Sequence, residues 1–189
     1  MTFMKKTKNN KVILITGKPG VGKTAVGNLV CKCLNKSILL SIDNIRQLVI
    51  GGYIDPATHS WDEFKEQFYL SADAVVAVAN IFIKKGFIPV IEGVVLEENF
   101  DFWKKNLVDS DLYIFLLTVN EQELLIRNSK KDKSIPNTIP VQNMLKNIDQ
   151  MLTNLENKNF KVINNLNFNE TADEIIKNVY GDTVLIKNG

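Results

Sequence analysis

The sequence predicts an α/β fold, a three-layer sandwich around a five-stranded parallel sheet. Two observations carry that expectation. Five short apolar runs rich in β-branched residues recur along the chain, and segments with helical spacing separate them. The first run, moreover, has no internal polar residue, the mark of a strand covered on both faces and so of a central position in a parallel sheet. The length of 189 residues suits one core and one principal site.

Taken in order, the first strand is Val12 to Thr16, entered from Lys11, and a helix follows over Lys23 to Leu34. Ser37 to Ile42 is the second strand, and Asn44 to Val49 a short helix. A long helix covers about Trp61 to Lys85, because Phe64, Phe68, Ala72, Val75, Val76, Ala79 and Phe82 fall three or four residues apart and make one face for the sheet; Gly86 ends it. Strands at Ile88 to Ile91 and Leu112 to Val119 come next, then helices at Glu121 to Asn128 and Val141 to Leu155. Lys161 to Ile163 is the last strand, and Thr171 to Tyr180 the last helix, with Thr171 and Glu174 spaced as a capping box. Residues 1 to 10 read as a polar, lysine-rich tail and 11 to 189 as one domain. The stretches 51 to 60 and 128 to 140 are long enough to be functional loops, the second a lid.

Twenty-three basic residues stand against 21 acidic ones, so no global field implies nucleic acid or an anionic membrane. The longest apolar stretch, Ala74 to Ile83, is too short to span a bilayer, and no secretory leader pattern opens the chain. A cytoplasmic protein is expected. Cys31 and Cys33, one residue apart on a helix, diverge, which excludes a disulfide or four-ligand zinc site between them. Only two of the 23 basic residues, Arg46 and Arg127, are arginine. In a chain that uses lysine wherever a simple charge serves, these two positions point to a need for the planar, bidentate guanidinium.

The most specific motif is Gly17-Lys18-Pro19-Gly20-Val21-Gly22-Lys23-Thr24, a full match to G-x-x-x-x-G-K-[ST] between a buried strand and an amphipathic helix. Glycines let successive N–H groups converge on a polyphosphate, and the helix N-terminus adds partial positive charge. The motif, continued to Ala25, is therefore expected to bind nucleotide, with Lys23 reaching the β- and γ-phosphates and the Thr24 hydroxyl holding Mg²⁺.

Other residues narrow the class. No Asp is followed by Gly three residues later and no Asn-Lys-x-Asp occurs, which disfavours a signalling GTPase; the length leaves no room for the extra helical domain of a hexameric ATPase. Asp43 follows the second strand, where open α/β folds place ligands, and is a candidate base for an attacking hydroxyl, with helix capping as its plain alternative. Arg46 lies one turn on and is a candidate clamp for an anionic acceptor. Glu92 ends the third strand before Gly93 and can serve metal-bound water or the acceptor. Arg127 roots the cationic run Arg127-Asn128-Ser129-Lys130-Lys131-Asp132-Lys133, a candidate lid that places charge against a transferring phosphoryl group. His59, Tyr53, Trp61 and Trp103 have plainer readings as loop, rim or core residues.

These residues resemble the P-loop kinases that include the polynucleotide 5′-hydroxyl kinase domain and the chloramphenicol phosphotransferases. Ile42-Asp43-Asn44-Ile45-Arg46-Gln47 is similar to the segment that holds that family's base aspartate and acceptor-phosphate arginine, and Arg127 through Pro136 is similar to its lid, with Lys131 where a second lid arginine usually stands. Glu92-Gly93-Val94 replaces the family's aspartate-containing segment after the third strand. The resemblance implies a nucleoside- and shikimate-kinase-like sandwich, ATP as phosphoryl donor, and catalytic roles for Lys23, Asp43 and Arg127. It implies nucleotide contacts from Gly17 to Ala25, Arg127 and Lys131, acceptor contacts from Asp43, Arg46 and Glu92, and Mg²⁺ at Thr24 and Glu92. A small hydroxyl acceptor leads. A 5′-hydroxyl polynucleotide or a nucleoside follows, and an ATP-binding switch or assembly protein without an acceptor is the rival from another class.

Overall fold

The computed structural model describes residues 10–55, 58–95, 97–129, 145–146, 149–150, 153 and 160–181. Its elements are β1 (Asn10–Gly17), α1 (Lys23–Lys32), β2 (Ser37–Ser41), α2 (Ile42–Gln47), α3 (Trp61–Ile83), β3 (Ile88–Glu92), α4 (Glu97–Asn106), β4 (Ser110–Thr118), α5 (Glu121–Ser129), β5 (Lys161–Asn164) and α6 (Phe168–Tyr180). The strands form one all-parallel sheet in the order β2-β3-β1-β4-β5, the architecture expected from the sequence.

β1 shows why its residues make a central strand. Val12 and Leu14 point to one face and Ile13 and Ile15 to the other, all fully buried, so the alternation of a strand feeds two separate cores. On the first face α3 lays Phe64, Phe68, Ala72, Val75, Val76, Ala79 and Ile83 against the sheet. On the second, Val26 and Val30 of α1 pack with Ala172, Ile175, Ile176 and Val179 of α6. Each fully buried aliphatic side chain contributes about 1.5–3 kcal/mol relative to exposure. α3 is long and apolar enough by length and composition to cross a membrane, but its most apolar face is the sheet-facing core.

Several boundaries differ from the sequence reading. β1 begins at Asn10, which pairs with Ser110, so that residue belongs to the sheet and not to the tail. Ile42 opens α2 and does not end β2. α4 has no counterpart in the expected elements. Its acidic start and crowded Phe100, Phe102 and Trp103 hide the helical period, yet Trp103 is fully buried in the α3-side core. The last helix starts at Phe168, capped by Asn167, whose side chain accepts from the Asn169 and Glu170 N–H groups; Thr171 is thus inside the helix, and the expected Thr171–Glu174 box does not form. The expected helix from Val141 to Leu155 and the lid from 128 to 140 lie largely outside the described residues; those described, 128–129 at the end of α5 and 145–146, 149–150 and 153, are helical.

Candidate functional site

β1 and α1 build the cradle. The chain leaves β1 at Gly17, turns through a Val21 N–H to Lys18 carbonyl bond of 3.2 Å, and enters α1 at Gly22 in the left-handed region (φ 104°). A Cβ at Gly22 would stand 2.7 Å from a Phe168 ring carbon and 2.8 Å from Asn165 Nδ2, so both the dihedral and the space demand glycine. No side chain caps α1 and no acidic residue occupies its first turn, which leaves its N-terminal N–H groups and partial positive charge open to an anion. Lys23, almost buried, is tethered by its Nζ to the Gly17 and Lys18 carbonyls at 2.9 and 3.0 Å. Thr24 is exposed beside it.

The neighbouring strands bring the carboxylates to this edge. Because β3 lies between β1 and β2, Glu92 is in register with Ile15 on one side and Ser41 on the other. Gly93 lets the chain close on Ile42, whose Cβ would sit 2.9 Å from a side chain placed at 93. That contact draws the start of α2 against the end of β3. The cap of α2 is the Ser41 hydroxyl, which accepts from the Asn44 N–H at 3.3 Å. Asp43 is therefore released from the capping role that was its plain alternative, and it is exposed. Pro19, Gly20, Gly22, Lys23, Thr24, Ala25, Asp43, Glu92, Arg127 and Phe168 line one cavity of about 480 Å³. Gly17, Lys18 and Val21 stand behind it, Lys18 in a 2.7 Å ion pair with Asp149 on the rim of a second cavity of about 460 Å³. Lys131 lies outside the described residues.

The two arginines are placed differently from each other. Arg46 is 6% exposed and does not line the cavity. Its Nη1 donates to the Tyr53 hydroxyl (2.8 Å) and, at 3.4 Å, to the Ile54 carbonyl, its guanidinium lies over the Tyr53 and Phe64 rings, and its buried Nε has no hydrogen-bond partner among the described residues. Arg127 lines the cavity, but its nitrogens are engaged by protein acceptors. Nε donates to Glu123 (2.7 Å), Nη1 to the Val21 carbonyl (2.8 Å) and Nη2 to the Asn165 carbonyl (2.8 Å), while the guanidinium covers Phe168. These bonds hold the guanidinium at the cavity wall. They fix the cradle.

Asn165 and Phe168, to which the sequence reading gave no role, complete this wall together with Asn128 of the expected lid run. Asn165, fully buried, donates to the Val21 carbonyl at 2.7 Å and accepts from the Thr171 hydroxyl at 2.8 Å. Phe168 packs against Gly22 and Asn128 against Gly20. The available signal was indirect: an apolar ring directly after a turn-rich Asn-Leu-Asn, at the end of the last strand where α/β folds hold ligands. His59 instead stays in its loop, its Nδ1 within 3.2 Å of the Asp55 carbonyl.

Comparison with known proteins agrees with this geometry. Residues 13–144 match the family model described as AAA domain. Shikimate kinase from Acinetobacter baumannii, solved with shikimate, superposes with a TM-score of 0.62 at 17% identity, over 95% of this chain and 97% of that one. The tunicamycin resistance protein of Deinococcus radiodurans gives 0.60 at 19% identity over 91% and 96%. The APS kinase of Mycobacterium tuberculosis, solved with AMPPNP and APS, gives 0.58 at 18% over 90% and 98%. No curated protein matches the sequence. At these identities the likeness is one of fold, that of the shikimate-kinase-like P-loop proteins, and the matched motif lies in the described cradle. The chain belongs to the AAA domain family of P-loop proteins.

Proposed function

We propose that this protein is a kinase that moves the γ-phosphoryl group of ATP to a hydroxyl of a small-molecule acceptor. One observation carries the reading: the cradle, Lys23, Thr24, Asp43 and Glu92 converge on a single 480 Å³ cavity at the C-terminal edge of the sheet. An exposed carboxylate at the start of α2 that lines the same cavity as Lys23 and Thr24 favours transfer to an acceptor over hydrolysis alone.

In this reading the N–H groups of 17 to 25 hold the polyphosphate and Lys23 leaves its carbonyl tethers for the β- and γ-phosphates. The acceptor oxygen attacks the γ-phosphorus as its proton passes to Asp43, a P–O bond forms to the acceptor, the bond to the β-bridging oxygen breaks, and ADP departs. The donor set suits Mg²⁺, a hard cation that keeps waters and takes few protein ligands: exposed Thr24 and buried Glu92 line the same cavity. Bound there, the ion would neutralise phosphate charge. Arg127 positions the cradle through Val21 and Asn165. Arg46 binds an acidic group of the acceptor by exchanging its bond to the Tyr53 hydroxyl for one to the ligand.

The test is transfer of labelled γ-phosphate from ATP to small alcohols, nucleosides and 5′-hydroxyl oligonucleotides, run beside Asp43→Asn and Lys23→Ala. Labelled product that vanishes in Asp43→Asn, with Mg-ATP binding retained, supports the kinase and names its acceptor class. ATP turnover that needs no acceptor and is unchanged in Asp43→Asn would overturn it in favour of the switch. Lys23→Ala is expected to lose nucleotide turnover in both cases.

A further inference from the structure

α3 has a second apolar stripe on the side away from the sheet. Leu70 is 65% and Ile81 62% exposed, Ala77 is exposed and Ala74 half-buried, and exposed charges, Glu66 and Lys85, stand at the two ends. The positions 66, 70, 74, 77 and 81 fall three or four apart on one face of α3, and Lys85 follows in the turn that leaves the helix after Ile83, its N–H bonded to the Phe82 carbonyl. Their order is self-complementary when reversed: acidic, large apolar, small, small, large apolar, basic. The spacing is also symmetric about a point between Val75 and Val76.

We infer that this stripe is the interface of a two-fold symmetric dimer in which α3 packs antiparallel to α3 of a second copy. A two-fold axis through the midpoint sets Leu70 against the partner's Ile81, Ala74 against the partner's Ala77, and Glu66 against the partner's Lys85, each contact made twice, as an isologous interface requires. The small central residues let the helix axes approach, and the end charges match only in the antiparallel arrangement. A parallel pairing would oppose Glu66 to Glu66 and Lys85 to Lys85.

The surface continues beside the stripe. Phe102 and Val108 are 38% and 48% exposed, and Asn80 ties their segment to α3, donating to the Asn106 carbonyl (2.7 Å) and accepting from the Val108 N–H (3.1 Å). A helix pair about 28 Å long, flanked by those residues, buries on the order of 1,000 Å² in total, the lower end for specific interfaces. The dimer is thus expected to assemble in the micromolar range. No stripe residue lines the 480 Å³ cavity, so the inference stands apart from the kinase reading.

Sedimentation velocity of the full chain across micromolar concentrations tests it. Glu66→Lys alone and Lys85→Glu alone each place like charges face to face and should raise the dimer Kd roughly tenfold or more. The double variant Glu66→Lys/Lys85→Glu should restore dimerisation, a recovery that a folding defect cannot produce. A wild-type chain that stays monomeric up to about 1 mM overturns the inference. So does a dimer insensitive to both single reversals, or a double variant that stays dissociated. A monomer that floats with phosphatidylcholine vesicles would make the stripe a lipid-facing surface and equally overturn it.

Discussion

In the proposed reading the two arginines mark an acceptor side and a nucleotide side, and they differ in how completely the protein uses them. Around Arg127 each guanidinium nitrogen has a protein acceptor, and those acceptors belong to three elements that meet at the cradle: Glu123 of α5, Val21 of the phosphate loop and Asn165 after β5. Around Arg46 the chain offers two aromatic rings, one phenol and one carbonyl, and leaves Nε buried without a partner among the described residues. A buried cation so incompletely paired is poorly justified by stability, since well-packed apolar groups often serve as well. The same residue type is thus a strut in one place and, in the proposed reading, a binding group in the other.

Arg46→Met breaks that contrast most sharply. If Arg46 is kept for an acidic acceptor, acceptor kcat/KM should fall by about 10²–10³ while stability changes by less than about 1 kcal/mol. Steady-state kinetics with the labelled-phosphate assay and thermal melting read the two quantities. A large fall in melting temperature with unchanged acceptor KM would make Arg46 a structural residue.

Arg127→Met should give the reverse pattern. Three charge-assisted bonds are lost, and Glu123 and the Asn165 carbonyl lose their partner, for about 2–3 kcal/mol of stability, or roughly 4–10 °C in Tm for a domain of this size. Mg-ATP affinity falls with it, because Val21 is then held by Asn165 alone, whereas acceptor KM should not move. Calorimetric titration with a non-hydrolysed nucleotide separates the effects.

Asn165 sharpens the nucleotide side further. It shares the Val21 carbonyl with Arg127, so Asn165→Ala and Arg127→Met should not add, and a double-mutant cycle in urea should show coupling of about 0.5–1 kcal/mol. Additivity would mean that the two bonds brace the cradle independently.

Legibility followed the same division. The cradle was readable because its chemistry is local: a loop of eight residues whose glycines, lysine and threonine act through backbone geometry fixed within the segment. The sheet was readable for a similar reason, since a run such as Val12 to Ile15 carries its two-sided burial in its own composition. Asp43 and Glu92 could be placed at the edge from strand ends alone. The strut could not, because Arg127, Val21 and Asn165 are brought together only when β5 takes its place beside β4, over a separation of more than a hundred residues. Nor could α4, whose buried Trp103 lacks a periodic run around it, or the cap by Asn167, which competes with an equally plausible Thr171 three residues after Phe168.

The smallest expected effect distinguishes the two sides by pH. α3, which carries Phe64 under Arg46 and Gln67 against the Ile54 N–H, starts in a capping box: Ser60 Oγ and N donate to Glu63 Oε2 at 2.6 and 2.9 Å. These bonds favour the ionised carboxylate and hold the Glu63 pKa below the ordinary value for glutamate, the hydroxyl having the larger effect. A lowered acid contributes stability that is fully present above its unfolded pKa and is lost as pH falls through the lower folded pKa. The corresponding cap on the nucleotide side, Asn167 on α6, accepts through an amide and does not titrate. Melting curves from neutral to acid pH should therefore show a small loss below the ordinary glutamate pKa that Glu63→Gln removes, while Asn167→Ala lowers Tm without changing that acid limb. Although Glu63 is at the surface, salt should not abolish the effect, because it rests chiefly on two short hydrogen bonds and not on a distant charge. An acid limb identical in wild type and Glu63→Gln would show that the box is made in the folded chain without differing from the unfolded one, and the acceptor side would then be no more acid-sensitive than the cradle.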